Sequence, residues 1–217
     1  MVKMRNEKNF EEQYARVMDD PKTEKYCFAD QIEFILYAKH CKGAGKKNGI
    51  IWSADSTYHD LYMRGYNLFE RGQYAKALWV YQDALKVNPV GIGARFEICE
   101  CYLRLGMLLG ARQTLLDMQE YLIEDKHVAR FYRRLGFIAT EQGDYRLAIA
   151  CLLLSQKYEE TDYVKNELMY IASVTGRMVR VPNPKAVVKA AGLPILAAYS
   201  FEELDPLARR ADKVESV

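Results

Sequence analysis

The stretch GAGKKNG, residues 43–49, carries the residue types of a phosphate-binding loop. Its glycines would let backbone N–H groups approach an anion, and a lysine would pair with it. The pattern does not complete that chemistry. Lys47 follows Lys46 where a Ser or Thr hydroxyl would hold magnesium, and His40 stands where the first glycine belongs. The segment therefore reads as a flexible basic turn. Cys99 and Cys101 are two apart, so on a helix they point to different sides, and no second Cys or His pair has metal-ligand spacing. His40, His59 and His127 have no HExxH pattern or nearby nucleophile, and no carboxylates form a recognisable acid–base pair. The expectation is a non-enzyme with no catalytic, cofactor-binding or metal site.

What remains is recognition by apolar and cationic side chains. Tyr62, Tyr66 and Phe69 fall at i, i+4 and i+7, one stripe of a helix, beside a second stripe of Leu61, Gly65 and Leu68. The chain has 217 residues, of which 50% are hydrophobic and 28% charged, ample material for a core. A net charge of +2 argues against binding nucleic acid mainly through phosphates, which needs a concentrated basic face. There is no apolar h-region and no 18-residue apolar run, so neither secretion nor membrane insertion is expected. Cys27, Cys41, Cys99, Cys101 and Cys151 are odd in number and irregular in spacing. They read as free thiols in a reducing compartment, hence a cytoplasmic protein.

The elements that position these side chains recur. Gly72, Gly106 and Gly143 lie 34 and 37 residues apart, and Ala77, Ala111 and Ala148 keep the same intervals, as do Tyr81, Leu115 and Leu152. A period near 34 with small residues in fixed places signals stacked helical hairpins. In the first unit a helix ends near Arg71 and Gly72 turns the chain. Ala77, Tyr81 and Ala84 form a stripe on a second helix, and Asn88-Pro89 stops it. The glycine and alanines are small because two helices approach closely there, and the aromatic fills the gap. The order is a packing order.

On these residues the chain resembles the tetratricopeptide repeat family. Gly65, Ala77, Tyr81, Ala84 and Pro89 match that family's small, aromatic and proline positions. Residues 92–125 follow with Cys99, Tyr102, Ala111, Leu115 and Met118, and residues 129–162 with Gly136, Ala139, Gly143, Tyr145, Ala148 and Leu152. Residues 162–176 give a first helix without a recognisable partner. The resemblance implies an all-α, right-handed superhelical solenoid of three full repeats, residues 58–91, 92–125 and 129–162, plus an extra helix. It also implies a concave, peptide-binding groove. Its positions hold Tyr62, Tyr66 and Phe69, then Phe96, Glu100, Leu103 and Arg104, then Arg130, Arg133, Phe137, Thr140 and Glu141, then Tyr163, Asn166 and Tyr170. That groove is aromatic at one end and basic further along. Relatives that grip a peptide carboxylate use Lys and Asn where this chain has Tyr62, Tyr66 and Glu97; only Arg130 and Arg134 agree, which speaks against that mode.

The flanks depart from the repeat. In residues 1–57, Asn9 and Glu12 stand at capping-box spacing, and residues 23–41 read as a longer helix with Phe28, Ile32, Ile35 and Leu36 on one face. Both helices are expected to cap the first repeat. A loop with an apolar centre at Ile50, Ile51 and Trp52 follows. In residues 177–217, Asn183-Pro184 starts a short helix that Gly192 ends, and Asp205-Pro206 starts a last one. The expected function is binding of an acidic protein or peptide segment with apolar anchors in an adaptor, chaperone-like or scaffold role. The alternative is a structural, self-assembling homo-oligomer whose groove is filled by its own flanks. A ligand-sensing regulator ranks lower.

Overall fold

The computed structural model describes residues 24–40, 50–53 and 56–197. They fall into two compact units, one up to Cys101 and one from Tyr102 on. The described residues are mostly helical, and consecutive helices pack on one another. In the first unit β1 (Glu24–Tyr26), α1 (Gln31–His40) and β2 (Ile50–Trp52) precede α2 (Thr57–Glu70) and α3 (Tyr74–Val87). The unit boundary falls inside α4 (Ile92–Arg104). The second unit continues with α5 (Leu108–Asp117), a 3-10 turn (Gln119–Tyr121), α6 (Asp125–Glu141), α7 (Tyr145–Ser155), α8 (Asp162–Thr175) and α9 (Pro184–Ala190).

The turns are built as the periodicity requires. Between α2 and α3 the chain reverses at Gly72, whose φ of 72° lies where a side chain would strain the backbone. Its N–H donates to the Phe69 carbonyl at 2.8 Å and that of Gln73 to Leu68 at 2.9 Å, which satisfies the open end of α2. Gly106, Gly143 and Gly176 repeat this conformation with φ of 71°, 76° and 68°.

Packing explains the small residues. A Cβ on Gly65 would lie 2.7 Å from the Tyr81 ring, so only glycine admits that ring between α2 and α3. Ala77, Tyr81 and Ala84 are fully buried along the same joint. In the α6–α7 hairpin Leu152 takes the place of the ring: a Cβ on Gly136 would meet its Cγ at 3.1 Å. Ala111 and Leu115 of α5 are fully buried as well.

One expectation is corrected. Residues 23–41 are not one helix. Glu24–Tyr26 is a strand paired in parallel with Ile50–Trp52, Tyr26 opposite Trp52, so the expected loop is partly a strand. The helix starts only at Gln31, where the Asp30 carboxylate accepts the Glu33 N–H at 2.9 Å as a cap. Phe28 therefore precedes the helix, the supposed shared face does not exist, and Ile32 is 38% exposed while Phe28, Ile35 and Leu36 are buried. α6 begins at Asp125, an acidic residue suited to a helix start.

The β1–α1–β2 unit does join the first hairpin. The Cys27 N–H donates to the Val87 carbonyl at 2.9 Å, and Asn88 Nδ2 to Glu33 Oε2 at 2.6 Å. At the other end α9 begins and ends as expected: Asn183 Oδ1 accepts the Ala186 N–H at 3.1 Å, and Gly192 follows with a φ of 69°. The helix packs on α7. The helix expected around Asn9, the GAGKKNG turn, Cys41 and the helix expected at Asp205-Pro206 lie outside the described residues.

Candidate functional site

Each unit is best followed on its own. In the first, α2 carries four rings in a row, Tyr58, Tyr62, Tyr66 and Phe69. Tyr62 is half-buried; its ring lies 6.3 Å from that of Tyr58 and 5.6 Å from that of Tyr81, edge-on to the latter. A Cβ on Gly93 would touch it at 3.4 Å. This tyrosine thus belongs partly to the joint that α2 makes with α3 and the start of α4. Phe69 is half-buried and edge-on to Tyr74 at 5.0 Å. Phe96 is 1% exposed and sits in the core, where a partner has no access. Glu100 is half-buried. Tyr66, 43% exposed, is the most open of the expected first-unit rings.

Trp52, expected at the apolar centre of the loop before α2, packs on the segment around α1. Trp52 stacks on Phe34 with centroids 6.5 Å apart, and its Nε1 donates to the Phe28 carbonyl at 2.8 Å.

In the second unit Arg133 is held by its own chain: Nη1 lies 2.7 Å from Glu159 Oε2, with only 17% of the arginine side chain exposed. Its expected role toward a partner's acid is taken by Glu159. Arg130 and Phe137 are half-buried. Tyr170 is 54% exposed on α8, near Tyr163 and Val174 on one helical face.

The sequence reading missed two polar arrangements. In the first unit the Glu33 carboxylate accepts from Asn88 and from the Ala29 N–H at 2.7 Å. Burial pushes this carboxyl above its ordinary range. In the second unit the chain after α9 runs across Tyr132 and Tyr158, whose rings stack 6.2 Å apart. The Tyr132 hydroxyl accepts the Leu196 N–H at 2.7 Å and donates to the Pro194 carbonyl at 3.2 Å, while the Tyr158 hydroxyl donates to Leu196. Burial pushes the Tyr132 hydroxyl up to about 12, so it stays protonated as this pairing needs. No local pattern announces a contact spanning some sixty residues.

Among the described residues no group of three or more His, Cys, Asp or Glu could hold a metal ion. Cys27, Cys99, Cys101 and Cys151 are buried and in no disulfide. Burial raises the thiols of Cys101 and Cys151 to about 12, far from the thiolate a nucleophile needs. No described helix is long and apolar enough to cross a membrane. No model of a known protein family matches the chain, and no curated protein matches it either.

Proposed function

We propose that this chain is a repeat protein of the tetratricopeptide kind, a solenoid that binds an apolar, acidic segment of a partner protein. The packing of Tyr81 on Gly65 and the recurring left-handed turn glycines support the repeat. The observation that carries the binding reading is Tyr66. The α2–α3 joint is already filled by Tyr81, Ala77 and Ala84, yet this ring stays 43% exposed on the same helix. Exposed aromatic side chains are the usual anchors of protein interfaces. The reading is a binding role in the cytoplasm, not catalysis, and the buried thiols suit a reducing compartment.

The test begins with a pull-down from the source cell and mass spectrometry to supply the partner. Tyr62→Ala/Tyr66→Ala is then expected to weaken it by more than about 1 kcal/mol, and Arg130→Glu to weaken it most at low salt. Affinity by titration calorimetry is compared with melting temperature for each variant. Loss of folding with unaltered affinity per folded molecule would sink the binding reading.

A second reading draws on the segment after α9. An extended stretch of the chain already lies along Tyr132 and Tyr158, as expected of a structural protein that fills its own surfaces. Sedimentation equilibrium separates the two: a stable homo-oligomer that captures no partner favours the structural role.

A further inference from the structure

Of the five described glycines with positive φ, each of which follows a helix, only the first three lead at once into a second helix. Gly72, Gly106 and Gly143 are followed by α3, α5 and α7, whereas after Gly176 the chain runs without helix to α9, which packs on α7. The residue seven before each turn glycine reports the difference. Gly65 and Gly136 lie against Tyr81 and Leu152, and Cys99 is fully buried. Met169, the fourth in this register, is 62% exposed. Among the described residues nothing packs on α8 there as α3 packs on α2.

Between α7, α8 and residues 178–182 lies a cleft of about 440 Å³, lined by Ile149, Leu153, Leu168, Ala172, Val179 and neighbouring residues. That volume is in the range of ligand-binding clefts, about 300–1,000 Å³. Among the described residues that line it, Arg180 alone is charged. Residues 177–189 hold Arg177, Arg180, Lys185 and Lys189 and no Asp or Glu. Neither Arg177 nor Arg180 meets a carboxylate among the described residues.

We propose that this cleft binds an acidic amphipathic helix of another protein, which packs along α8 in place of a fourth hairpin's second helix, with apolar side chains in the cleft and a carboxylate on Arg180. The described residues give α8 no second helix, which argues for a helical occupant, and the arginines unopposed among them argue for an acidic one. A second copy suits the site poorly, because a two-fold contact sets the same patch on itself and brings like charges together. The site goes beyond the aromatic groove and uses none of its residues.

The test titrates the full chain with a fluorescent, helix-forming synthetic peptide of about fifteen residues, with leucines on one face and glutamates on the other. A counterpart with lysines for glutamates is the control. Saturable binding of the acidic peptide is expected, weakened about tenfold or more by Arg180→Glu and by Met178→Asp and unchanged by Tyr62→Ala/Tyr66→Ala. Met178 is 79% exposed and Arg180 is exposed, so both variants should fold, which circular dichroism checks. Absence of saturable binding, equal binding of the basic peptide, or indifference to both variants would overturn the proposal. So would acidic-peptide binding that appears only in the full chain carrying Glu202→Lys/Glu203→Lys, since the chain's own acidic segment would then be the occupant. A dimer that Met178→Asp dissociates would assign the cleft to a second copy and overturn it equally.

Discussion

The α2–α3 and α6–α7 hairpins follow one plan and end in different environments. Each has a glycine seven residues before its turn and a larger residue of the second helix filling the space over it. In α2, however, Gly65 alone is buried, whereas α6 buries nine residues, among them Phe131, Tyr132, Leu135 and Ile138. Register makes the contrast concrete, since Gly136 lies 71 residues after Gly65. Where α2 has the half-buried Tyr62, α6 has Arg133 on Glu159; where α2 has Phe69, α6 has Thr140, whose hydroxyl donates to the Gly136 carbonyl at 3.0 Å. A repeat therefore specifies how two helices meet, while the elements that cover the remaining faces decide which side chains are left for a partner.

Core truncation should break the two hairpins most unequally. Phe131→Ala removes a fully buried ring and should cost about 3–5 kcal/mol. Tyr66→Ala, on the exposed face of α2, should stay within about 0.5 kcal/mol. Urea melts of both variants decide; comparable losses would mean that α2 is covered as fully as α6.

The glycine joints offer a subtler comparison. Gly65→Ala brings a Cβ within 2.7 Å of a fully buried ring and should cost about 1–3 kcal/mol through overpacking. Gly136→Ala meets Leu152 at 3.1 Å, a milder clash that the gain in helix propensity, about 1 kcal/mol, should nearly offset. Tyr81→Leu in the Gly65→Ala background should recover part of the loss, because the first joint then resembles the third. Strict additivity of the two substitutions would show that the ring and the glycine do not interact.

A modest effect is expected of the Arg133–Glu159 pair, whose arginine stands in α6 where α2 has Tyr62. Arg133→Gln should lower stability by no more than about 1 kcal/mol, since Glu159 is 40% exposed and solvent screens the pair. The loss should shrink in high salt. A salt-independent loss of several kcal/mol would instead mark the pair as desolvated.

Spacing alone was enough to read the turn glycines, the Gly65–Tyr81 joint, the helix over residues 162–175 and the cap at Asn183, because all of these rest on neighbours within one or two hairpins. The strand Glu24–Tyr26 was not legible. Three residues that owe their form to Ile50–Trp52 carry no periodicity of their own, and two of them, Glu24 and Lys25, are of types depleted in strands. The candidate site was legible as a set of residue types and not as a surface. Tyr62 and Tyr66 share a stripe, yet Tyr81 and Gly93 close on one and leave the other exposed; Arg133 looks available until Glu159 reaches it. Helical period determines which side of its own helix a residue occupies. Whether that side meets solvent, another helix or a strap such as the segment at Leu196 depends on chain tens of residues away, and only the tertiary structure brings that chain into contact.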